Sequence, residues 1–344
     1  MNKTTFKFFL VISLGLGMSG CGKSFEVSTY EVPTDIASDV NSGQGTGDIS
    51  FTGELGSNLD PVLDPQFSML SNGIKLGNIS VKGKKLSLTR GTGSAFTSSL
   101  KNDYQNLKKA TQTDVNHKVQ WTLMDLSSHQ VVAKSLSSNR KLFGASSSKI
   151  YVGSAFVEKQ NAVLSSSQMQ LMADMLVVSS NVAWTNLQTQ IGDGNADKGR
   201  ERIQNFTQKM GYMRTRGYQG SWGKIHGNEL IPDEAVETLY DLYHNAFTGA
   251  AIVWKLMHTC RTGASRGLKY IPSNIYVGGK TGTYDGPTEN PETGATYNVA
   301  IRNHLLVFYV GGRQYGLAIL SNSGTDQSAA LLAGGLIREY GGIQ

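Results

Sequence analysis

The 344-residue chain has only two cysteines, Cys21 and Cys260. So few exclude a disulfide scaffold, and neither has the paired Cys/His spacing of a structural zinc or iron–sulfur site. No metal or other cofactor is called for. Strong charge of either sign is also lacking: 32 Lys+Arg against 26 Asp+Glu give +6, or +4 without Lys3 and Lys7 of the leading segment. That excess is too small and too scattered to mark a nucleic-acid binder. Past the first twenty residues no apolar run reaches the length of a membrane span, so no transmembrane helix is expected. Internal repeats are lacking too. What is present is 39% hydrophobic residues, enough to fill a core and to exclude disorder throughout.

The first residues read as an export signal: Lys3 and Lys7, an apolar stretch from Phe8 to Met18, then Ser19-Gly20 and Cys21. The run is too short to span a bilayer. It resembles a bacterial lipoprotein signal, with Met18 where leucine is usual. That resemblance implies removal of residues 1–20, lipidation of Cys21, and a membrane-anchored protein facing the periplasm. Residues 21–65 are rich in Ser, Gly, Thr and Asp with no sustained period and read as a flexible tether.

Residues 66–115 read as a lead-in, weakly alternating over 67–89, followed by a first amphipathic helix over Ser94–Lys109, where Phe96, Leu100, Tyr104 and Leu107 recur at helical spacing. Alternation over Val119–Leu126 and Val131–Leu136, joined by Ser127-Ser128-His129-Gln130, predicts a hairpin. Helices are expected over Ser146–Lys159, over Ser167–Thr189 with a break after Val178, and over Glu234–Thr262 entered by Pro232-Asp233. Met169, Met172, Met175 and Leu176 form a stripe that reads as core. Cys260, placed in the third of these helices, reads as a lone buried thiol. Strands follow over Asn274–Thr283, His304–Val310 and Tyr315–Ser321, then a terminal helix over Asp326–Tyr340. Strands at both ends and helices between them predict an α+β fold: one antiparallel sheet built from both chain ends and flanked by helices, plus an all-helical part.

Ser-x-x-Lys occurs at Ser98, Ser138, Ser146 and Ser221, and the tetrapeptide alone carries little information. The copy at Ser146 differs by position, since it follows the hairpin and opens a helix, with Lys149 one turn later on the same face. A serine hydroxyl needs an adjacent base, and a lysine serves only when burial or nearby cations lower its pKa. Ser179-Ser180-Asn181 stands at the helix break, and Lys280-Thr281-Gly282-Thr283 at a strand end behind Gly278-Gly279. Lysine, hydroxyl and glycine on an edge strand suit recognition of a carboxylate.

With its motifs in this order, the chain resembles the penicillin-recognising serine enzymes, β-lactamases and D-alanyl-D-alanine peptidases, whose signatures are Ser-x-x-Lys, Ser-x-Asn and Lys-Thr-Gly. Thr262-Gly263-Ala264, Gly267-Leu268, Ile271-Pro272 and Tyr276 to Gly282 look most like class A β-lactamases, as does Ile191-Gly192. The likeness covers about residues 116–344. It implies Ser146 as acylated nucleophile, Lys149 as base or proton relay, and Ser179 as donor to the leaving nitrogen. Asn181, Lys280, Thr281, Gly282 and Thr283 would bind substrate, and the N–H groups of Ser146 and Thr283 would form an oxyanion hole.

Two departures stand out. The interval from Ser146 to Ser179 is shorter than the family usually has, so the helical part is trimmed. Class A enzymes also carry a loop glutamate that activates the deacylating water. Here residues 202–228 contain no Asp or Glu, counting puts Thr215 near the expected place, and His226 is the candidate substitute base. The expectation is therefore a serine hydrolase, of the β-lactamase kind in chemistry though slow to deacylate, acting as a monomer on a β-lactam or related D-alanyl peptide. A peptidoglycan D,D-carboxypeptidase acting on D-Ala-D-Ala stem peptides is the alternative, and a non-catalytic cell-wall binder of the same fold is the third reading.

Overall fold

A computed structural model describes residues 50–51, 79–81, 86–215, 228–289 and 296–343. The expectations for Cys21, for His226 and for residues 1–49 lie outside them. Two short strands, β1 (Ser50–Phe51) and β2 (Ile79–Ser80), pair antiparallel, so part of the stretch read as a tether meets the lead-in.

The centre is a five-stranded antiparallel sheet of β3 (Val119–Asp125), β4 (Gln130–Lys134), β7 (Val277–Glu289), β8 (Thr296–Val310) and β9 (Arg313–Ser321). Its order is β4-β3-β9-β8-β7, so the last strand in sequence lies in the middle. The hydrophobic pattern explains why both faces are covered. Trp121, Leu123, Leu306, Phe308, Leu317 and Ile319 pack on one face, while their alternates Met124, Leu305, Val307, Ala318 and Leu320 pack on the other. Successive strand side chains point oppositely, so near-continuous apolar runs demand a layer on each side.

The first layer consists of α1 (Ser98–Thr113) and α8 (Asp326–Gly341), capped by Thr97 and Thr325. They approach closely because α8 presents Gly335, where an added Cβ would fall 2.3 Å from the Tyr104 ring of α1. The second layer holds α2 (Lys149–Lys159), α3 (Ser166–Val177), α4 (Asn181–Ile191), α5 (Ala196–Lys209), α6 (Pro232–Tyr243) and α7 (Ala250–Met257). The methionine stripe of α3 is buried there as core.

Two expectations need correction. The helix expected over Glu234–Thr262 is two helices, because Asn245 (φ 51°) and Gly249 (φ 86°) take left-handed backbone conformations between them. Cys260 consequently lies beyond α7; it is buried, with Sγ 3.2 Å from Thr262 Oγ1. The final hairpin is also longer than its alternation indicated. Asp285-Gly286-Pro287 looks like a strand breaker, yet pairing runs on to Glu289 opposite Thr296. Arg302 holds Asp285 through two contacts of 2.6 and 2.7 Å, and Val299 and Ile301 pack with Phe143 and Ala145.

Candidate active site

Ser146 sits in a 3-10 turn, Ala145–Ser148, that leads directly into α2, so the nucleophile candidate precedes the α-helix proper. A short strand pair, β5 (Leu142–Phe143) with β6 (Glu229–Leu230), feeds this turn. Ala145 takes φ 45°, an unfavourable conformation for a residue with a Cβ. The turn is held from two sides. Asn303 Nδ2 of β8 donates to the carbonyls of Phe143 (2.7 Å) and Gly144 (3.1 Å), and Asn228 Nδ2 donates to that of Ala145 (2.9 Å). The Gly144 N–H in turn donates to the Asn228 carbonyl at 2.7 Å.

Lys149, one turn after Ser146, is fully buried with Nζ 3.1 Å from Ser146 Oγ. Nζ also reaches the Ser179 carbonyl (2.6 Å), Ser179 Oγ (3.2 Å) and Asn181 Oδ1 (2.7 Å), and lies 5.5 Å from the centre of the Trp184 ring. Burial, and secondarily the positive charge of Lys280, hold the Lys149 ammonium well below the usual lysine range. Ser179 occupies the break between α3 and α4 with φ 62°, and Ser180 caps α4 by accepting from the Ala183 N–H at 3.1 Å. The break thus turns two consecutive serines to different work, one toward the lysines and one to the helix end.

Lys280 of β7 is buried and donates to Ser179 Oγ and to the Thr281 carbonyl, each at 2.9 Å. Gly282 must be glycine here: an added Cβ would lie 2.6 Å from the Gly144 carbonyl and 2.9 Å from the Ser147 nitrogen. The third motif therefore runs against the Ser146 turn. Ser146, Lys149, Ser179, Asn181 and Lys280 form one connected cluster, so residues distant in sequence are brought together around the first serine. The hydroxyls of Thr281 and Thr283 bond to residues outside this cluster. Thr281 Oγ1 donates to Thr262 Oγ1 at 2.6 Å, and Thr283 Oγ1 accepts from Arg266 at 3.1 Å.

Sequence reasoning missed Arg266, Asn228 and Asn303, which no spacing marks. The buried Arg266 guanidinium also reaches the carbonyls of Gly282 (3.3 Å) and Asn303 (3.1 Å) and pairs with Asp326 at 2.7 Å. Its charge, after burial itself and together with that of Lys280, keeps His304 neutral, far below the usual histidine range. A glycine-rich surround was the available signal, since Cβ atoms at Gly263 and Gly267 would each fall 2.5 Å from the His304 ring. Thr215 is fully buried, and the N–H groups of Arg214 and Thr215 donate to the Glu234 carboxylate at 2.9 and 2.6 Å. The carboxylate meeting this part of the loop therefore comes from α6.

Residues 123–338 match the family model described as Beta-lactamase enzyme family. Among curated proteins no sequence matches this one. A solved beta lactamase from Xanthomonas campestris pv. campestris shares the fold at TM-score 0.55, with 16% identity over 70% of this chain and 97% of that one. An ancestral class A beta-lactamase gives TM-score 0.54 and 16% identity, covering 70% of this chain and 99% of its own. A beta-lactamase from Chitinophaga pinensis gives 0.52 and 12%, covering 69% and 96%.

Proposed function

The chain belongs to the beta-lactamase enzyme family, and on that premise we propose that it is an active-site-serine hydrolase that forms an acyl-enzyme with a β-lactam or related D-alanyl peptide. The observation that carries this reading is the buried Lys149 Nζ at 3.1 Å from Ser146 Oγ. A neutral lysine amine has two N–H groups and one lone pair. The Ser179 carbonyl and Asn181 Oδ1, at 2.6 and 2.7 Å, absorb the two N–H groups and leave the lone pair for the Ser146 proton. Ser146 Oγ then attacks the substrate carbonyl, and the developing oxyanion is met by the N–H groups of Ser146 and Thr283. Ser179, in contact with both lysines, relays the proton from Lys149 to the leaving nitrogen. Lys280, Thr281 and Thr283 bind the substrate carboxylate, and Asn181 holds its amide.

Slow deacylation is part of the proposal, supported by the absence of Asp and Glu over residues 202–228. The same absence, with Lys280-Thr281-Gly282-Thr283, favours a second reading as a D,D-carboxypeptidase, for which penicillin is an inhibitor. A lipid anchor at Cys21, a periplasm-facing location and a monomeric state complete the proposal, supported by residues 1–21 and by the lack of any heptad run.

The test is an intact-mass time course of the chain from residue 22 with a simple penicillin, beside Ser146→Ala. A serine-dependent adduct that persists is the expected result. Penicillin lost without any accumulating adduct means fast deacylation. Neither adduct nor loss, in wild type, removes the hydrolase reading. Release of D-alanine from a stem pentapeptide separates peptidase from lactamase.

A further inference from the structure

The three carbonyls immediately before Ser146 are each met by a buried asparagine side chain. Asn303 Nδ2 serves Phe143 and Gly144 at 2.7 and 3.1 Å, and Asn228 Nδ2 serves Ala145 at 2.9 Å. Both asparagines are buried, and they come from different parts of the chain, one from β8 and one from the segment leading into β6. Asn303 is fixed in its turn, since its Oδ1 accepts from the Ser321 N–H of β9 at 2.8 Å. The carbonyls so held belong to a segment that is strained at Ala145, φ 45°. Such strain persists only where the surroundings over-determine it.

We propose that Asn303 and Asn228 are positioning residues for acylation: by holding the carbonyls of Phe143, Gly144 and Ala145, they aim the Ser146 N–H and hydroxyl at the substrate carbonyl. This rests on the serine-hydrolase reading and adds to it the residues that pre-organise the oxyanion site. The chemistry requires amides in particular. Each supplies N–H donors to carbonyl oxygens in a space where a carboxylate would set oxygen against oxygen. Asn303→Asp keeps the acceptor for Ser321 while reversing the interaction with Phe143 and Gly144. Asn228→Asp does the same at Ala145 without touching the sheet.

The decisive measurement separates the non-covalent dissociation constant of a penicillin from its acylation rate constant by stopped flow, for wild type and both variants. It is accompanied by the affinity of an acylaminomethylboronic acid, whose serine adduct is tetrahedral. The expected result is a loss of about 100-fold in the acylation rate constant and a parallel loss in boronate affinity, the magnitude of removing one oxyanion donor. The dissociation constant should stay within about twofold. Amide hydrogen exchange over residues 143–148 should quicken in the same variants, a readout that needs no turnover. An unchanged acylation rate and exchange in either folded variant overturns the proposal, as does a loss confined to the dissociation constant. Should Asn303→Asp fail to fold, Asn228→Asp decides alone. If wild type itself is not acylated, the hydrolase reading falls; if it is and the variants match it, only the positioning role falls.

Discussion

Two lysines, on opposite sides of the sheet, are treated in opposite ways. At the seam between α1 and α8, Lys108 contacts the Glu339 carboxylate and the Tyr340 hydroxyl. Burial alone would lower its pKa, but the bonds to Glu339 and Tyr340 outweigh it and the ammonium is favoured. At the candidate site, Lys149 is fully buried, touches oxygens of Ser146, Ser179 and Asn181, none of them a carboxylate, and feels Lys280 instead. The first environment secures a charge and the second removes one. A seam needs a cation that stays put, whereas a base needs a lone pair.

The sharpest way to break this contrast is to remove its product. Ser146→Ala is expected to abolish the penicillin adduct, and Lys149→Ala to slow its formation by about 1,000-fold or more, as for members of an interdependent catalytic set. Intact mass spectrometry reads both, and a Lys149→Ala protein acylating at the wild-type rate would show that the buried lysine is not the base.

The pH profile tests the cause. Because the Lys149 pKa is lowered, acylation should rise with pH along a limb well below the ordinary lysine range and flatten once Lys149 is neutral. Lys280→Met removes the neighbouring positive charge, so that limb should move to higher pH. A limb that stays in place would leave burial as the sole cause. Stability follows the same sign: between the lowered pKa and 10.5 the unfolded chain binds a proton that the native one does not, so the penalty of burying Lys149 shrinks, and stability grows, as pH rises through this window.

Smaller effects are expected at the seam. Gly335→Ala drives a methyl into the Tyr104 ring and should cost about 1–3 kcal/mol, seen as a lower Tm with acylation per folded molecule unchanged. Glu339→Gln should cost no more than about 1 kcal/mol, as expected of a partly exposed ion pair. For Glu339, burial acts upward but the bonds from Lys108 and Tyr104 prevail, and the pKa is lowered. Its contribution is thus present above 4.5 and lost as pH falls through the folded value. Urea titrations at a series of pH values should find the Glu339→Gln penalty full at pH 7 and shrinking as pH falls below 4.5.

Much of this contrast could be read from sequence where its signal was local. Ser146 and Lys149 are one helical turn apart, Ser179 and Asn181 flank a helix break, and the Lys280 motif ends on glycine at a crowded strand. Each carries its geometry in a few consecutive residues. Asn228 and Asn303 gave no such sign, and Arg266 only the glycines at 263 and 267 beside it. Their partners lie between 16 and 160 residues away, and an isolated asparagine or arginine has the same composition whether it is solvated or clamped under a turn. The hairpin of β7 and β8 was underestimated for a related reason. Gly286 and Pro287 are punctuation by local rules, and the ion pair and apolar cluster that override them join separate strands or distant turns. The helix over 234–262 was overestimated because a continuous apolar pattern hides a left-handed glycine.

The position of β9 has a consequence in time. It leaves the ribosome after the other four strands of the sheet, yet it lies in their middle, between β3 and β8. Until it arrives, β3 has no partner on that side, and the Asn303 side chain has nothing to anchor its oxygen. The serine of the first motif is synthesised long before the strand that completes its surroundings. A chain that stops short of β9 therefore carries Ser146 on a turn whose Asn303 support is only half anchored, and that anchoring comes with the final strand of the sheet.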